Sequence, residues 1–159
     1  MPTWLGCFGK SWSPVLTVRI SGPFTEGVDF EAIVDTGFTG FASIPLLQAF
    51  PLGLILDGTT SVVLADGSTT VNLVARAKVE VEGEARIGTV LLDAGSRDVL
   101  LGMDFLRHFK KALYVASDGI ALVDEDDLKK SVGVPPAPEA AATEDPNTPP
   151  QIDPPSTGQ

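Results

Sequence analysis

Val15-Leu16-Thr17-Val18-Arg19-Ile20 alternates apolar and polar side chains, the two-residue period of a half-buried strand. Ser21-Gly22-Pro23 breaks the pattern. Val28 to Val34 alternates at first and becomes wholly apolar over Ala32-Ile33-Val34, as a strand entering a core does. Leu54 to Leu56 predicts a short strand, and Ser61 to Leu73 predicts a hairpin. Asp66-Gly67 stands at its tip, a dipeptide that suits the tight turns of hairpins. Val74 to Glu82 continues as a strand with Ala75, Ala77, Val79 and Val81 on one face and Arg76, Lys78, Glu80 and Glu82 on the other. Gly83 turns the chain and Arg86 to Asp93 returns. Leu113–Val115 and Gly119–Val123 predict a last hairpin around Ser117-Asp118-Gly119. Helical signals are brief. Ser43 caps a short helix with Pro45 in its first turn and Pro51 at its end, and a second helix covers Leu106 to Lys111. The pattern is that of an all-β chain with one or two short helices.

Composition divides the chain into three parts. Residues 1–14 read as an irregular arm whose Trp4, Phe8 and Trp12 pack on the body or a partner. Residues 15–123 form one domain with room for a sizeable core. Residues 124–159 are acidic and rich in Pro and Ala. Without periodicity they are expected to stay disordered. Of the net charge of −10, the segment 124–159 carries −6 and the rest only −4. Without a basic patch to neutralise phosphates, nucleic acid is not an expected partner. A single cysteine, Cys7, allows no internal disulfide and suits a reducing compartment. No apolar run approaches the ~20 residues that span a bilayer. The expectation is a cytoplasmic protein without membrane contact.

The candidate chemistry lies at Ala32-Ile33-Val34-Asp35-Thr36-Gly37-Phe38-Thr39-Gly40. An apolar strand delivers an acid into a Thr-Gly turn, where Asp35 is only partly hydrated and Gly37 allows close approach of a ligand. Two readings fit these residues equally. Asp35 is a reactive carboxylate, or it is an Asp that starts a turn by bonding its own backbone.

Downstream, Asp98-Val99-Leu100-Leu101-Gly102-Met103-Asp104-Phe105-Leu106 is a second apolar run ending in Gly, with a helix-like segment after it. The motifs V-D-T-G-F-T-G-F, then L-A-D-G, then L-L-G-M-D-F-L resemble, in that order, the retropepsin-like aspartic proteases, and most closely their prokaryotic branch. The resemblance spans Val15 to Val123. It implies a closed retropepsin-like β-barrel acting as a homodimer. In this family Asp35 matches the catalytic position, Thr36 the hydroxyl that bonds across the dimer axis, and Gly37 the substrate-facing glycine. Phe38 and Thr39 fall on the substrate pocket. Ala65, Asp66 and Gly67 match the flap that closes over an extended peptide or protein substrate. Leu100, Leu101 and Gly102 match the strand that braces the active-site loop.

Aspartic peptidases use two carboxylates that share a proton. One suitable Asp per chain therefore implies a two-fold dimer. Where many viral members carry an acid and an Arg that pair, this chain has Thr39 and Met103, which implies a weaker dimer. His108 reads as a helix-end residue, and no ligand cluster supports a metal or any other cofactor. The rival readings are a non-catalytic dimeric module of the same fold that binds peptides, with Phe38 lying over the dyad, and an unrelated β-barrel interaction domain.

Overall fold

The computed structural model describes residues 3–63 and 66–133. The chain is mostly β. Its strands are β1 (Trp4–Phe8), β2 (Pro14–Ser21), β3 (Val28–Val34), β4 (Ala42–Pro45), β5 (Ile55–Val63), β6 (Thr69–Val81), β7 (Glu84–Asp93), β8 (Val99–Leu101), β9 (Lys111–Val115) and β10 (Ile120–Asp124). Three short helices punctuate them: α1 (Leu46–Ala49), α2 (Met103–His108) and α3 (Glu125–Val132). The strands join in the order β5-β6-β7-β4-β8-β3-β2-β1-β10-β9, and β6 pairs additionally with β2. No helix among the described residues is long and apolar enough to cross a membrane.

The alternation read from the sequence becomes the core. Ala75, Ala77, Val79 and Val81 of β6 are all buried, as are Leu16, Val18 and Ile20 of β2. They meet Ile44, Leu52, Val90, Leu101 and Leu122 in one cluster. Polar residues keep the outer face: Arg19 of β2 stands opposite Asp29 of β3 and donates to it at 2.8 Å. An aromatic group closes one end of the core. Phe105 of α2 packs 4.7 Å from Phe109, which lies edge-on 5.0 Å from Trp4. Truncating a buried ring such as Trp4 to Ala costs roughly 3–5 kcal/mol.

Several expectations are corrected. The arm 1–14 contains a strand, β1, which pairs with β10 (Trp4↔Leu122) and with β2 (Cys7↔Val15). Its longer pairing is with β10, distant in sequence, and only Cys7 and Phe8 pair with nearby β2, so little local pattern announced it. Ser43 caps no helix. It is buried in β4, and α1 starts only after Pro45. The second helix runs Met103–His108 rather than 106–111, because it begins immediately after Gly102. Part of the segment 124–159 is ordered as α3, since the Asp124 carboxylate accepts from the Asp126 N–H at 3.1 Å and Lys129 pairs with Glu125 one turn away. Residues 134–159 lie outside the described residues.

Lys111, at the start of β9, is the one buried cation among the described residues. Its Nζ lies 3.6 Å from Glu84 Oε1 of β7 and 4.5 Å from the centre of the Trp4 ring. Removing one partner of such a buried pair strands the other and costs several kcal/mol. This contact therefore fixes β9 against both β7 and β1.

Candidate active site

Asp35 is the first residue past β3, and its position follows from the pairing of that strand. β3 runs parallel to β8, with Ala32 opposite Val99, Ile33 opposite Leu100 and Val34 opposite Leu101. The Asp35 N–H donates to the Leu101 carbonyl at 2.9 Å and extends the ladder into the loop. A tight turn follows, in which the Phe38 N–H donates to the Asp35 carbonyl at 3.2 Å. The Gly37 N–H donates to Asp35 Oδ1 at 2.8 Å.

The far side of the loop is held by the start of α2. Gly102 N–H donates to the Phe41 carbonyl (3.1 Å), Met103 N–H to the Phe38 carbonyl (2.8 Å) and Asp104 N–H to the Gly40 carbonyl (3.3 Å). Residues 35–41 are thus clamped by residues 101–104 through backbone alone. Gly102 permits this approach. A Cβ there would lie 2.1 Å from the Gly40 carbonyl oxygen and 2.5 Å from that of Phe38. Sequence reasoning singled out Gly102 but passed over Gly40 and Phe41, whose carbonyls complete the clamp. The glycines on either side of the contact were the available signal.

Asp35 is partly buried as a residue, while Thr36, Gly37 and Thr39 are exposed. A Cβ built on Gly37 would meet only Asp35 Oδ1, at 3.2 Å, so the space beyond Gly37 is open. The Phe38 ring lies against Gly40 and Gly102, within 2.4 Å and 2.7 Å of where their Cβ atoms would stand. The loop therefore presents a fixed carboxylate with an open approach.

The second acid-glycine turn is built differently. β5 and β6 pair from Gly58↔Val74 to Val63↔Thr69, and β5 is almost wholly exposed. Its register shifts between Leu56 and Gly58. At the tip Gly67 takes a left-handed conformation (φ 84°). Asp66 Oδ1 accepts from the Ser68 hydroxyl at 2.6 Å and from the Ser68 N–H at 2.9 Å. The Ser68 hydroxyl, and then its N–H, hold the Asp66 carboxyl below the usual carboxylate range. Ala65, assigned to the same tip, lies outside the described residues.

Other candidates stand apart from Asp35. His108 is exposed at the end of α2, its Nδ1 2.9 Å from the Asp104 carbonyl oxygen. No cluster of His, Cys, Asp and Glu suited to a metal ion occurs among the described residues. A cavity of about 530 Å³ opens at the base of the hairpin, lined by Ser21, Thr25, Ile55, Arg76 and Ile87 among others. It does not reach the Asp35 loop.

No protein-family model and no curated protein matches the chain. Solved structures do. EIAV protease complexed with an inhibitor superposes with a TM-score of 0.53 at 14% identity, covering 68% of this chain and 98% of that one. A retropepsin-like aspartic protease from Rickettsia conorii gives 0.55 at 16% identity, covering 76% of this chain and 90% of that one. At these identities the likeness is one of fold: the mostly β architecture of this chain resembles the retropepsin fold.

Proposed function

We propose that the chain is an aspartic endopeptidase whose water-activating pair of carboxylates forms when Asp35 of two copies meet across a two-fold axis. One observation carries this reading: the clamp that holds residues 35–41 against residues 101–104 and leaves Asp35 partly buried with open space beyond Gly37. The fold likeness and the order of the D-T-G, D-G and L-L-G motifs point the same way. The additional β6–β2 pairing supports a closed barrel, and the motif wording supports the prokaryotic branch.

In the proposed reaction one Asp35 is ionised and takes a proton from water as the water oxygen attacks the scissile carbonyl. The other, protonated, donates to the carbonyl oxygen and stabilises the tetrahedral intermediate. The proton then passes to the leaving amine. Thr36 ties the two loops together, and Gly37 and Thr39 line the path of an extended peptide. The hairpin tip of Ala65, Asp66 and Gly67 closes over that peptide and excludes water. Phe38 supports the loop from within, because its ring packs on Gly40 and Gly102. That packing supports the catalytic reading over a purely peptide-binding module. No cofactor enters the scheme, and the single cysteine fits a cytoplasmic location.

Subunit mixing tests the proposal. Asp35→Asn protein, mixed with wild type under free exchange, forms hybrid dimers with one carboxylate and one amide. Cleavage of a peptide library near pH 5 should fall as the square of the wild-type fraction, to about a quarter in an equal mixture. A linear fall would mean that each chain carries a complete site, and the paired mechanism would be wrong.

A further inference from the structure

β6 changes partners partway along its length. Thr69 to Arg76 pair with β5, ending at Ile55↔Arg76, and Lys78 to Glu80 pair with β2, beginning at Ser21↔Lys78. Ala77 stands between the two ladders and is paired on its other side with Gly88 of β7. The cavity of about 530 Å³ at the base of the hairpin lies in this fork. A volume of that size suits a small organic molecule. The body side of the fork is tied down. The Gly22 N–H donates to the Thr25 hydroxyl oxygen and to the Leu52 carbonyl, each at 3.1 Å, and the Thr25 hydroxyl donates to the same carbonyl at 2.6 Å. The hairpin side is looser, because the β5–β6 register shifts between Leu56 and Gly58, beside Asp57.

The lining is of three kinds. Ile55 and Ile87 are apolar and stay 57% and 63% exposed. Arg76 and Lys78 set two cations against one acid, Asp57, in a chain of net charge −10. Their own ion pairs are loose and contribute little. Asp57 reaches only the Arg76 Nε, at 3.4 Å, and Glu80 stays 3.9 Å from the Lys78 Nζ. The Nη groups of the Arg76 guanidinium are thereby left for a further acceptor. Ser21 is the third kind. It shares the outer face of β2 with Thr17 and Arg19, which are exposed, yet Ser21 itself is only 4% exposed. It lines the cavity, and its hydroxyl makes no hydrogen bond to another described residue. A hydroxyl so placed gains from a ligand oxygen that reaches the floor of the fork.

We infer that this fork is a binding site for a carboxylate carried on a branched apolar body, whether a free monocarboxylic acid or the last residue of a peptide. The carboxylate accepts from the Arg76 guanidinium, the Lys78 ammonium and the Ser21 hydroxyl, and the apolar body covers Ile55 and Ile87. Two cations, one of them shared with Asp57, select a single negative charge. The exposed isoleucines select an apolar body. A phosphate lacks the body, and a sugar lacks the charge. Because the lining comes from β2, β5, β6 and β7, the occupied fork ties the root of the hairpin to the rest of the sheet and favours one geometry at the register shift. The site lies outside the Asp35 loop and holds its ligand whatever that loop catalyses.

Calorimetry and amide NMR on the full chain test this with defined probes. Isocaproate or the peptide Gly-Gly-Leu should bind with a dissociation constant below about 1 mM, and its amide at least about tenfold more weakly. The tighter of the two acids names the source, a free acid or a peptide end. Amide shifts should centre on residues 21–25, 55–57 and 76–78. Arg76→Gln combined with Lys78→Gln replaces exposed charges, so the melting temperature should stay near that of wild type while the acid comes to bind no better than its amide. Arg97→Gln removes the same kind of charge from an exposed position before β8 and should bind as wild type does. Ser21→Ala should weaken the acid by about three- to tenfold. Saturating ligand should slow amide exchange along β5. No binding of either acid, equal binding of acid and amide, undiminished binding in the double variant, or shifts centred on residues 35–39 would overturn the proposal. Unchanged β5 exchange at saturation would refute the tie between the fork and the hairpin.

Discussion

The Asp35 loop and the Asp66 tip are the same turn in two settings. In both, the Asp side chain accepts a backbone N–H from the second residue along, at 2.8 Å from Gly37 and 2.9 Å from Ser68. Asp93 does the same with Gly95, and Asp124 with Asp126. The turn is therefore commonplace in this chain and identifies nothing. The setting differs. The Asp35 loop receives hydrogen bonds from Gly102, Met103 and Asp104 and gives one to Leu101, whereas the Asp66 tip is closed by its own neighbour Ser68. One turn is made rigid by a remote part of the chain and the other by itself. Rigidity imposed from afar suits a group that must meet a substrate in one geometry, and local closure suits an element that moves.

Removing each carboxylate should separate the two turns most clearly. Asp35→Asn should lower cleavage by roughly 10²–10⁴-fold with fold and association unchanged, because the amide keeps the shape but cannot take a proton. Asp66→Asn should change cleavage by less than about tenfold. Comparable losses in the two variants, measured on one peptide, would erase the distinction.

The glycines give the next largest contrast, in stability. Gly102→Ala pushes a methyl group into the Gly40 and Phe38 carbonyls and should cost about 3 kcal/mol by urea denaturation. Gly67→Ala meets nothing within 4 Å but sits at φ 84° and should cost only about 1 kcal/mol. Equal costs would mean the clamp is not a contact under pressure.

The smallest effect is a titration. Because the Ser68 hydroxyl holds the Asp66 carboxyl below the usual carboxylate range, Ser68→Ala should let it rise toward that range, as carbon-detected NMR would show. For an acid with a lowered folded value, the turn's stabilisation is in force above the ordinary carboxylate range. It is lost as pH falls through the lowered value. The wild-type tip thus stays closed further into acid than the variant does. An unmoved titration would show that the hydroxyl does not control the turn.

The sequence exposed what local periodicity can carry. The inward faces of β2 and β6 were legible because Val18, Ile20, Val79 and Val81 recur at every second position and all are buried. Asp35 was legible from the apolar run before it and Gly102 from the run that ends on it. The bonds between them were only hinted at: Gly40 and Gly102 mark a close approach, but nothing local to either names the other as its partner. β1 was missed for the same reason: Trp4 is fully buried only because Leu122 and Phe109 come to meet it. In the segment 124–159, acidic composition concealed a capped helix whose signal was Asp124 followed by Glu125 and Lys129.

The pairing of β1 with β10 also sets a schedule for biosynthesis. Leu5 is made long before its partner Ala121 and the lysine that braces Trp4. Closing a loop of that length costs entropy that no earlier contact of β1 with β10 offsets. The nascent chain can fold the hairpin β5–β6 as soon as it emerges, but it cannot seat β1 on β10 until residues 120–124 have been made. The two-copy site proposed above would thereby be withheld from any chain whose synthesis has not passed β10.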